Sequence, residues 1–240
     1  MDAIQALAQK YNLMVIADGA HALGSNHGGQ PICKQANITT LSFHPVKHIT
    51  TGEGGAILTD DEELYTKMKA FRTHGIVNDR IHMQQDDGPW YFEMQHLGFN
   101  YRISDIQCAL GISQLQKIDT FLQKRQHIAK YYIERLKDIP RLILPAVTAS
   151  AISSWHLFVI RVDAEMRNGM FEAMRAAGIG VQVHYIPVYH HPYYRNNGFK
   201  DTSLQNTEVY YETCMSLPIY PALTREQQDY VINTLCSLFV

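Results

Sequence analysis

Short apolar blocks alternate with stretches of helical spacing along the first half of the chain. Ile4, Leu7 and Ala8 share one face of a helix over residues 2–11, with Asp2 near its start. The run Leu13-Met14-Val15-Ile16-Ala17 is wholly apolar, which predicts a strand covered on both faces, as in a parallel sheet. Residues 38–43 predict a second strand and Gly55-Ala56-Ile57-Leu58-Thr59 a third. Asp60-Asp61-Glu62-Glu63 then opens a helix to about Arg72, its acids placed against the partial positive charge of the first turn. Helices alternating with short buried strands indicate an α/β architecture.

Residues 73–98 break the pattern. They are rich in Gly, Asp, Gln and His, hold one of the two tryptophans and sustain no period. A connection of that length inside a compact region is often functional. Helical spacing returns after Ser104, at Ile106, Ala109, Leu110 and Leu115, and a long helix follows from about Asp119 to Lys137, stopped by Pro140. Beyond it, residues 156–162 predict a strand, 165–177 a helix and Gly180-Val181-Gln182-Val183-His184-Tyr185 another strand. Helices over about 204–214 and 224–238 flank Ser216-Leu217-Pro218-Ile219-Tyr220. The expected organisation is therefore an α/β region over 1–120, and the long helix with a small α+β domain over 121–240.

Charge and cysteine content narrow the function classes. The formal charge is −2, from 21 basic and 23 acidic side chains that are well mixed, so neither nucleic acid nor a membrane surface is an expected partner. No apolar run reaches bilayer length, and residues 1–5 lack the layout of a signal peptide. Four scattered cysteines, at 33, 108, 214 and 236, form no CxxC pair and read as reduced thiols of a cytoplasmic protein.

Candidate chemistry concentrates at two residues. Asp18 directly follows the first apolar strand, and in open α/β sheets ligands bind beyond the carboxyl ends of strands. It reads equally as a helix N-cap. Lys47 lies in Ser42-Phe43-His44-Pro45-Val46-Lys47-His48-Ile49-Thr50-Thr51-Gly52-Glu53-Gly54-Gly55, between two strand-like segments. Taken alone it reads as a surface lysine with a pKa near ~10.4. An acid at the mouth of a buried strand followed by such a lysine suggests a pyridoxal phosphate (PLP) site, the amine holding the aldehyde and the acid pairing with the pyridinium nitrogen. The glycines allow close approach of a bulky ligand, and Ser42 offers a hydroxyl to a phosphate. His44 and His48 are four apart, but Pro45 disfavours a helix between them, and no metal site is expected. His184, His190 and His191 lie among Tyr185, Tyr189, Tyr193 and Tyr194. That cluster suggests a loop binding a polar, ring-shaped substrate; the alternative is a surface loop.

Three motifs carry a family resemblance. Asp18-Gly19-Ala20-His21-Ala22-Leu23-Gly24, the Ser42–Gly55 run, and Leu97-Gly98-Phe99-Asn100-Tyr101-Arg102-Ile103-Ser104-Asp105-Ile106-Gln107 together resemble the sugar aminotransferases of the DegT/DnrJ/EryC1/StrS family. Residues 182–188 and 216–220 are similar to that family's C-terminal domain, so the resemblance spans essentially the whole chain. Residues 88–94, Gly-Pro-Trp-Tyr-Phe-Glu-Met, narrow it to members that work in pseudaminic acid-type nucleotide-sugar biosynthesis. The resemblance implies the fold type I, aspartate aminotransferase-like architecture. It implies Lys47 as the Schiff-base lysine, Asp18 on the pyridine nitrogen, His21 beside the 3-hydroxyl and Ser42 on the phosphate. It also implies Asn100 reaching the phosphate of a neighbouring subunit in a homodimer, with His184 and Tyr185 as substrate contacts. The implied reaction moves an amino group from L-glutamate to C4 of a UDP-linked 4-keto-6-deoxy amino sugar.

Two departures from the family pattern set further expectations. Family members carry a large segment ahead of the helix that here spans 2–11, supplying a phosphate-binding turn and an aromatic ring stacked on the pyridine. The chain thus resembles an incomplete fold type I enzyme, with part of the large domain plus the small domain. Weak or absent activity alone, an open sheet edge and uncovered apolar faces are expected. A non-catalytic remnant, or one subunit of a split aminotransferase, is the alternative reading. Related dehydratases place a histidine where Lys47 stands, which argues against dehydration. Gly19 occupies a position where the family usually has alanine or serine, and it is expected to cost some local rigidity and little else.

Overall fold

The computed structural model describes residues 1–239, which form two compact units, Met1–Ile118 and the described residues from Asp119 onward. In the first unit, α1 (Asp2–Tyr11) ends on Asn12 in the left-handed conformation (φ 50°), and the chain enters β1 (Ile16–Asp18). A small antiparallel ribbon, β2 (Asn26–His27) with β3 (Gln30–Pro31), precedes β4 (Ile38–Ser42) and β5 (Gly55–Leu58). β1 runs parallel to β4, with Asp18 opposite Thr40, and β4 runs antiparallel to β5, with Ser42 opposite Gly55. Asp61 caps α2 (Glu62–Phe71) by accepting the Leu64 N–H at 3.0 Å. The irregular segment contains one short antiparallel pair, β6 (Ile76–Val77) with β7 (Glu93–Met94). It leads to α3 (Asp105–Leu115), which opens on a capping box between Ser104 and Gln107.

One strand expectation is corrected here. The apolar run 13–17 is not covered on both faces: pairing begins only at Ile16, and Leu13, Met14 and Ile16 are 63%, 54% and 64% exposed. The cause is position, since β1 is the edge of a three-stranded sheet with β4 as its neighbour. Few apolar side chains of this unit are fully buried; Ala8, Ile49 and Ala70 are the hydrophobic ones.

The second unit is built differently. α4 (Ile118–Leu136) packs Ile128, Ala129, Tyr132 and Leu136 into a core shared with the antiparallel pair β8 (Phe158–Arg161) and β9 (Cys214–Leu217). α5 (Ala164–Ala176) adds Met170 and Met174; after α6 (Gln205–Thr213), α7 (Arg225–Ser237) adds Val231, Ile232 and Leu235. α4 ends at Leu136, ahead of Pro140, in a turn closed by Ile139 N–H on the Leu136 carbonyl. Arg125 of α4 is buried, and among the described residues no acid forms an ion pair with it. Its Nη1 donates to the carbonyls of Trp155 (2.9 Å), His156 (3.3 Å) and Ile219 (3.0 Å).

The strand expected over 180–185 is also corrected. Only Gln182 pairs, in a single bridge with Ser216. Its neighbours' donors are taken locally: the Val181 N–H by the Ile179 carbonyl, the Val183 N–H by the side chain of Gln182 itself.

Among the described residues no helix is long and apolar enough to cross a membrane.

Candidate active site

Because β1 and β4 are parallel, their carboxyl ends open onto the same edge of the sheet, and the last residues of the two strands are Asp18 and Ser42. That edge is where α/β sheets bind ligands. Asp18 turns its carboxylate back to accept the Ala20 N–H at 3.0 Å, and Gly19 donates to the Thr40 carbonyl at 2.8 Å. The expectation for Gly19 is overturned. It is buried, and a Cβ there would stand 2.8 Å from Thr39 Cγ2 and 2.9 Å from the Thr40 carbonyl oxygen. The side-chain-free residue lets the Asp18 turn lie directly on β4, so glycine at this place is a requirement of close approach.

From Ser42 the chain leaves β4 in a loop that returns to β5 and carries Lys47. Both limbs of the loop meet at Phe43. Its N–H donates to the Gly54 carbonyl at 2.9 Å, and its carbonyl accepts the Thr51 N–H and the Thr50 hydroxyl, each at 3.0 Å. Next to Lys47, His48 and Ile49 are buried, at 3% and 4% exposure. Lys47 closes a turn onto the His44 carbonyl at 2.9 Å and is half-buried. Burial pushes the Lys47 ammonium's pKa down, and the Asp18 carboxylate opposes that shift. Partial burial of Lys47 and the acid at the carboxyl end of β1 thus act on the amine in opposite senses.

The other residues singled out in the sequence are placed as follows. His21 lies in the exposed turn that follows Asp18, and Ser42 Oγ accepts the His44 N–H at 3.4 Å. Asn100 is exposed on an extended segment bridged to Thr73, between Phe99 and Tyr101, whose rings stack at 4.8 Å. His184 and Tyr185 belong to the second unit. His184 Nδ1 lies 2.7 Å from the hydroxyl of buried Ser216, and the Tyr185 ring meets the His184 ring edge-on at 4.5 Å. His190 and Tyr189 both reach the Glu208 carboxylate, at 2.9 and 2.8 Å. Among the described residues no three His, Cys, Asp or Glu side chains gather into a metal-binding group.

Thr51 and Gln107 are the residues that sequence reasoning passed over. Thr51 is 4% exposed and donates its hydroxyl to the Glu53 carbonyl at 2.7 Å; Gln107 donates to the same oxygen at 2.8 Å. The Ser104-x-x-Gln107 spacing signals a capping box, but its reach to residue 53 is a tertiary fact.

The model of the DegT/DnrJ/EryC1/StrS aminotransferase family matches residues 1–236. UDP-4-amino-4,6-dideoxy-N-acetyl-beta-L-altrosamine transaminase of Campylobacter jejuni is 39% identical, over 99% of this chain and 62% of its own length. Among solved structures, Helicobacter pylori PseC, an aminotransferase involved in the biosynthesis of pseudoaminic acid, superposes with a TM-score of 0.91. It is 33% identical, with 99% of this chain and 62% of PseC covered. The PLP-form of the putative sugar aminotransferase Spr1654 from Streptococcus pneumoniae gives a TM-score of 0.86 at 31% identity, covering 97% of this chain and 59% of that one. The chain spans about 62% of the length of the curated relatives it matches.

Proposed function

We propose that this chain, which belongs to the DegT/DnrJ/EryC1/StrS aminotransferase family, serves the PLP-dependent transfer of an amino group from L-glutamate to C4 of a UDP-linked 4-keto-6-deoxy amino sugar. Pseudaminic acid-type nucleotide-sugar biosynthesis is the setting that the names of the Campylobacter and Helicobacter relatives support. One observation carries the reading: parallel β1 and β4 end at Asp18 and Ser42 on the same sheet edge, and the loop that leaves β4 there carries a half-buried lysine.

The donor set fits PLP. The Asp18 carboxylate would hold a protonated ring nitrogen, the Ser42 hydroxyl a phosphate oxygen, Lys47 Nζ the aldehyde carbon, and His21 would stand beside the 3-hydroxyl. Once bound, the ring supplies an electron sink for negative charge at the carbon next to the transferred nitrogen. The chain's own residues manage the protons. Burial favours the uncharged amine of Lys47, which as a base takes a proton from the α-carbon of the amino donor and later, as an acid, gives one to C4 of the sugar. The negative charge of Asp18 keeps a proton on the atom it faces, which no neutral side chain there would do.

The proposal extends to a homodimer in which exposed Asn100 reaches the cofactor phosphate held by a second copy. His184 and Tyr185 would bind the sugar nucleotide, their joined aromatic surfaces suiting a ring-shaped, polar ligand.

The test mixes the purified chain with PLP and follows visible absorbance, with Lys47→Ala as control. It then adds L-glutamate and a UDP-4-keto sugar. A band that requires Lys47, bleached by L-glutamate and restored by the keto sugar, is the expected result. Absence of any Lys47-dependent band would refute it and favour a chain that is non-catalytic by itself.

A further inference from the structure

We infer that Gln107 is a positioning residue for Lys47, clamping the return limb of the lysine loop to the first turn of α3. The inference rests on the reading of Lys47 as the residue that holds the cofactor.

The side chain of Gln107 does two jobs with its two ends. Oε1 accepts the Ser104 N–H at 3.0 Å and the Ser104 hydroxyl at 3.0 Å, which completes the capping box of α3. Nε2 donates at 2.8 Å to the carbonyl of Glu53, 54 residues earlier in the chain. Glutamate serves a capping box as well as glutamine does, because the box needs only an acceptor at this position. A carboxylate has no N–H to give, however, so the bond to Glu53 requires the amide.

That bond arrives at a carbonyl already under load. Thr51 donates its hydroxyl to the same oxygen at 2.7 Å, and the Thr51 N–H holds the opposite limb at the Phe43 carbonyl. Residues 51–54 therefore form the fixed base of the loop, and Gln107 is its tie to a rigid helix. The geometry of a reacting amine is sensitive to such ties, since a displacement of about 1 Å at a reacting group can cost about 10²-fold in rate. Untying the base lets the Lys47 amine wander relative to Asp18 without unfolding the helix that carried the tie.

Gln107→Glu and Ser104→Ala separate the two jobs. The first keeps the cap and removes the clamp; the second removes the cap hydroxyl and keeps the clamp. Backbone amide exchange by mass spectrometry reads residues 43–54 without cofactor. Capture of PLP, locked by borohydride reduction and mapped to the Lys47 peptide, reads the amine. In Gln107→Glu the Phe43 and Thr51 amides are expected to exchange faster and capture at Lys47 to slow by about tenfold, with the unfolding midpoint nearly unchanged. In Ser104→Ala the midpoint falls while loop exchange and capture stay as in the parent chain. Parent-like exchange in Gln107→Glu overturns the clamp, and faster exchange with parent-like capture overturns the positioning role. If the parent chain itself captures no PLP at Lys47, the cofactor reading has failed, and the exchange of Phe43 and Thr51 still decides whether Gln107 holds the loop.

Discussion

Gly111 sits in the middle of α3, where glycine is a poor helix former, and replacing it with alanine ought by propensity alone to stabilise the helix by about 1 kcal/mol. The structure opposes that gain. A Cβ at 111 would stand 2.9 Å from Cγ2 of Thr51, which is buried and whose hydroxyl is committed to the Glu53 carbonyl, so the methyl has nowhere to turn. Overpacking of this kind costs about 1–3 kcal/mol. The net expectation for Gly111→Ala is a loss of about 1 kcal/mol in α3, or about fivefold faster amide exchange at its protected N–H groups. Thr51→Ser removes the methyl and keeps the hydroxyl bond, at a cost of about 0.8 kcal/mol for the buried carbon. In that background the same glycine-to-alanine change should slow exchange in α3 about fivefold, the propensity gain now being unopposed. The coupling between the two sites is then about 2 kcal/mol, within reach of a double-mutant cycle on the four proteins. Stabilisation by Gly111→Ala alone, or a coupling under about 0.5 kcal/mol, would show that α3 does not press on the lysine loop at Thr51.

Three further outcomes follow from the same geometry. Asp18→Asn removes the charge that opposes burial at Lys47, so the amine's pH profile for acetylation, read on the Lys47 peptide, shifts to lower pH; a shift to higher pH contradicts the placement of the two groups. The Glu93 carboxyl is held below the usual carboxylate range, first by the Gln84 N–H and then by the Gln95 side chain, the Gln85 N–H and the Tyr91 hydroxyl, against an opposing effect of burial. A depressed folded pKa gives order that is complete above the unfolded value and lost as pH falls through the folded one. Amides of Gln84 and Gln85, corrected for intrinsic rate, should therefore lose protection in acid in the parent chain and show no such step in Glu93→Gln. Arg125→Met fills the same space but leaves the carbonyls of Trp155, His156 and Ile219 without their donor, for an expected loss of about 3 kcal/mol by urea unfolding; a neutral result would mean those carbonyls find other donors.

What the sequence made legible was local. Asp61 and Ser104 announce α2 and α3 because a capping side chain acts within one turn, and an acid closing an apolar run marks Asp18 at a strand end. The misreadings share a cause in the contacts between distant segments. An apolar run such as 13–17 reads as buried, yet burial belongs to whatever lies over it, and an edge strand leaves Ile16 open. Gly19 reads as a loose turn until the neighbouring strand's Thr39 and Thr40 are seen against it. Arg125 carries the same lesson in a helix. A charged side chain is ordinarily solvated, but the carbonyls that take the Nη1 bonds of this one come from 30, 31 and 94 residues away.

The two units hold themselves together by different means, and this bears on the loop that carries Lys47. The second unit has a contiguous apolar core around Tyr132, Phe158 and Met215, whose stability follows area removed from water. The lysine-bearing unit buries few apolar side chains, and its loop depends on hydrogen bonds to three carbonyls, those of Phe43, Glu53 and Gly54. Bonds of that kind contribute about 1 kcal/mol each when made and cost more when a buried partner is orphaned, so the loop's order is a matter of a few specific atoms. Hydrophobic burial is non-directional, tolerates repacking and cannot by itself aim an amine. Directional bonds can, because their geometry fails within a few tenths of an ångström. The loop that carries Lys47 thus rests on the polar, sparsely packed construction seen around residues 43–54, and the same construction makes single side chains such as Gln107 and Thr51 decisive there.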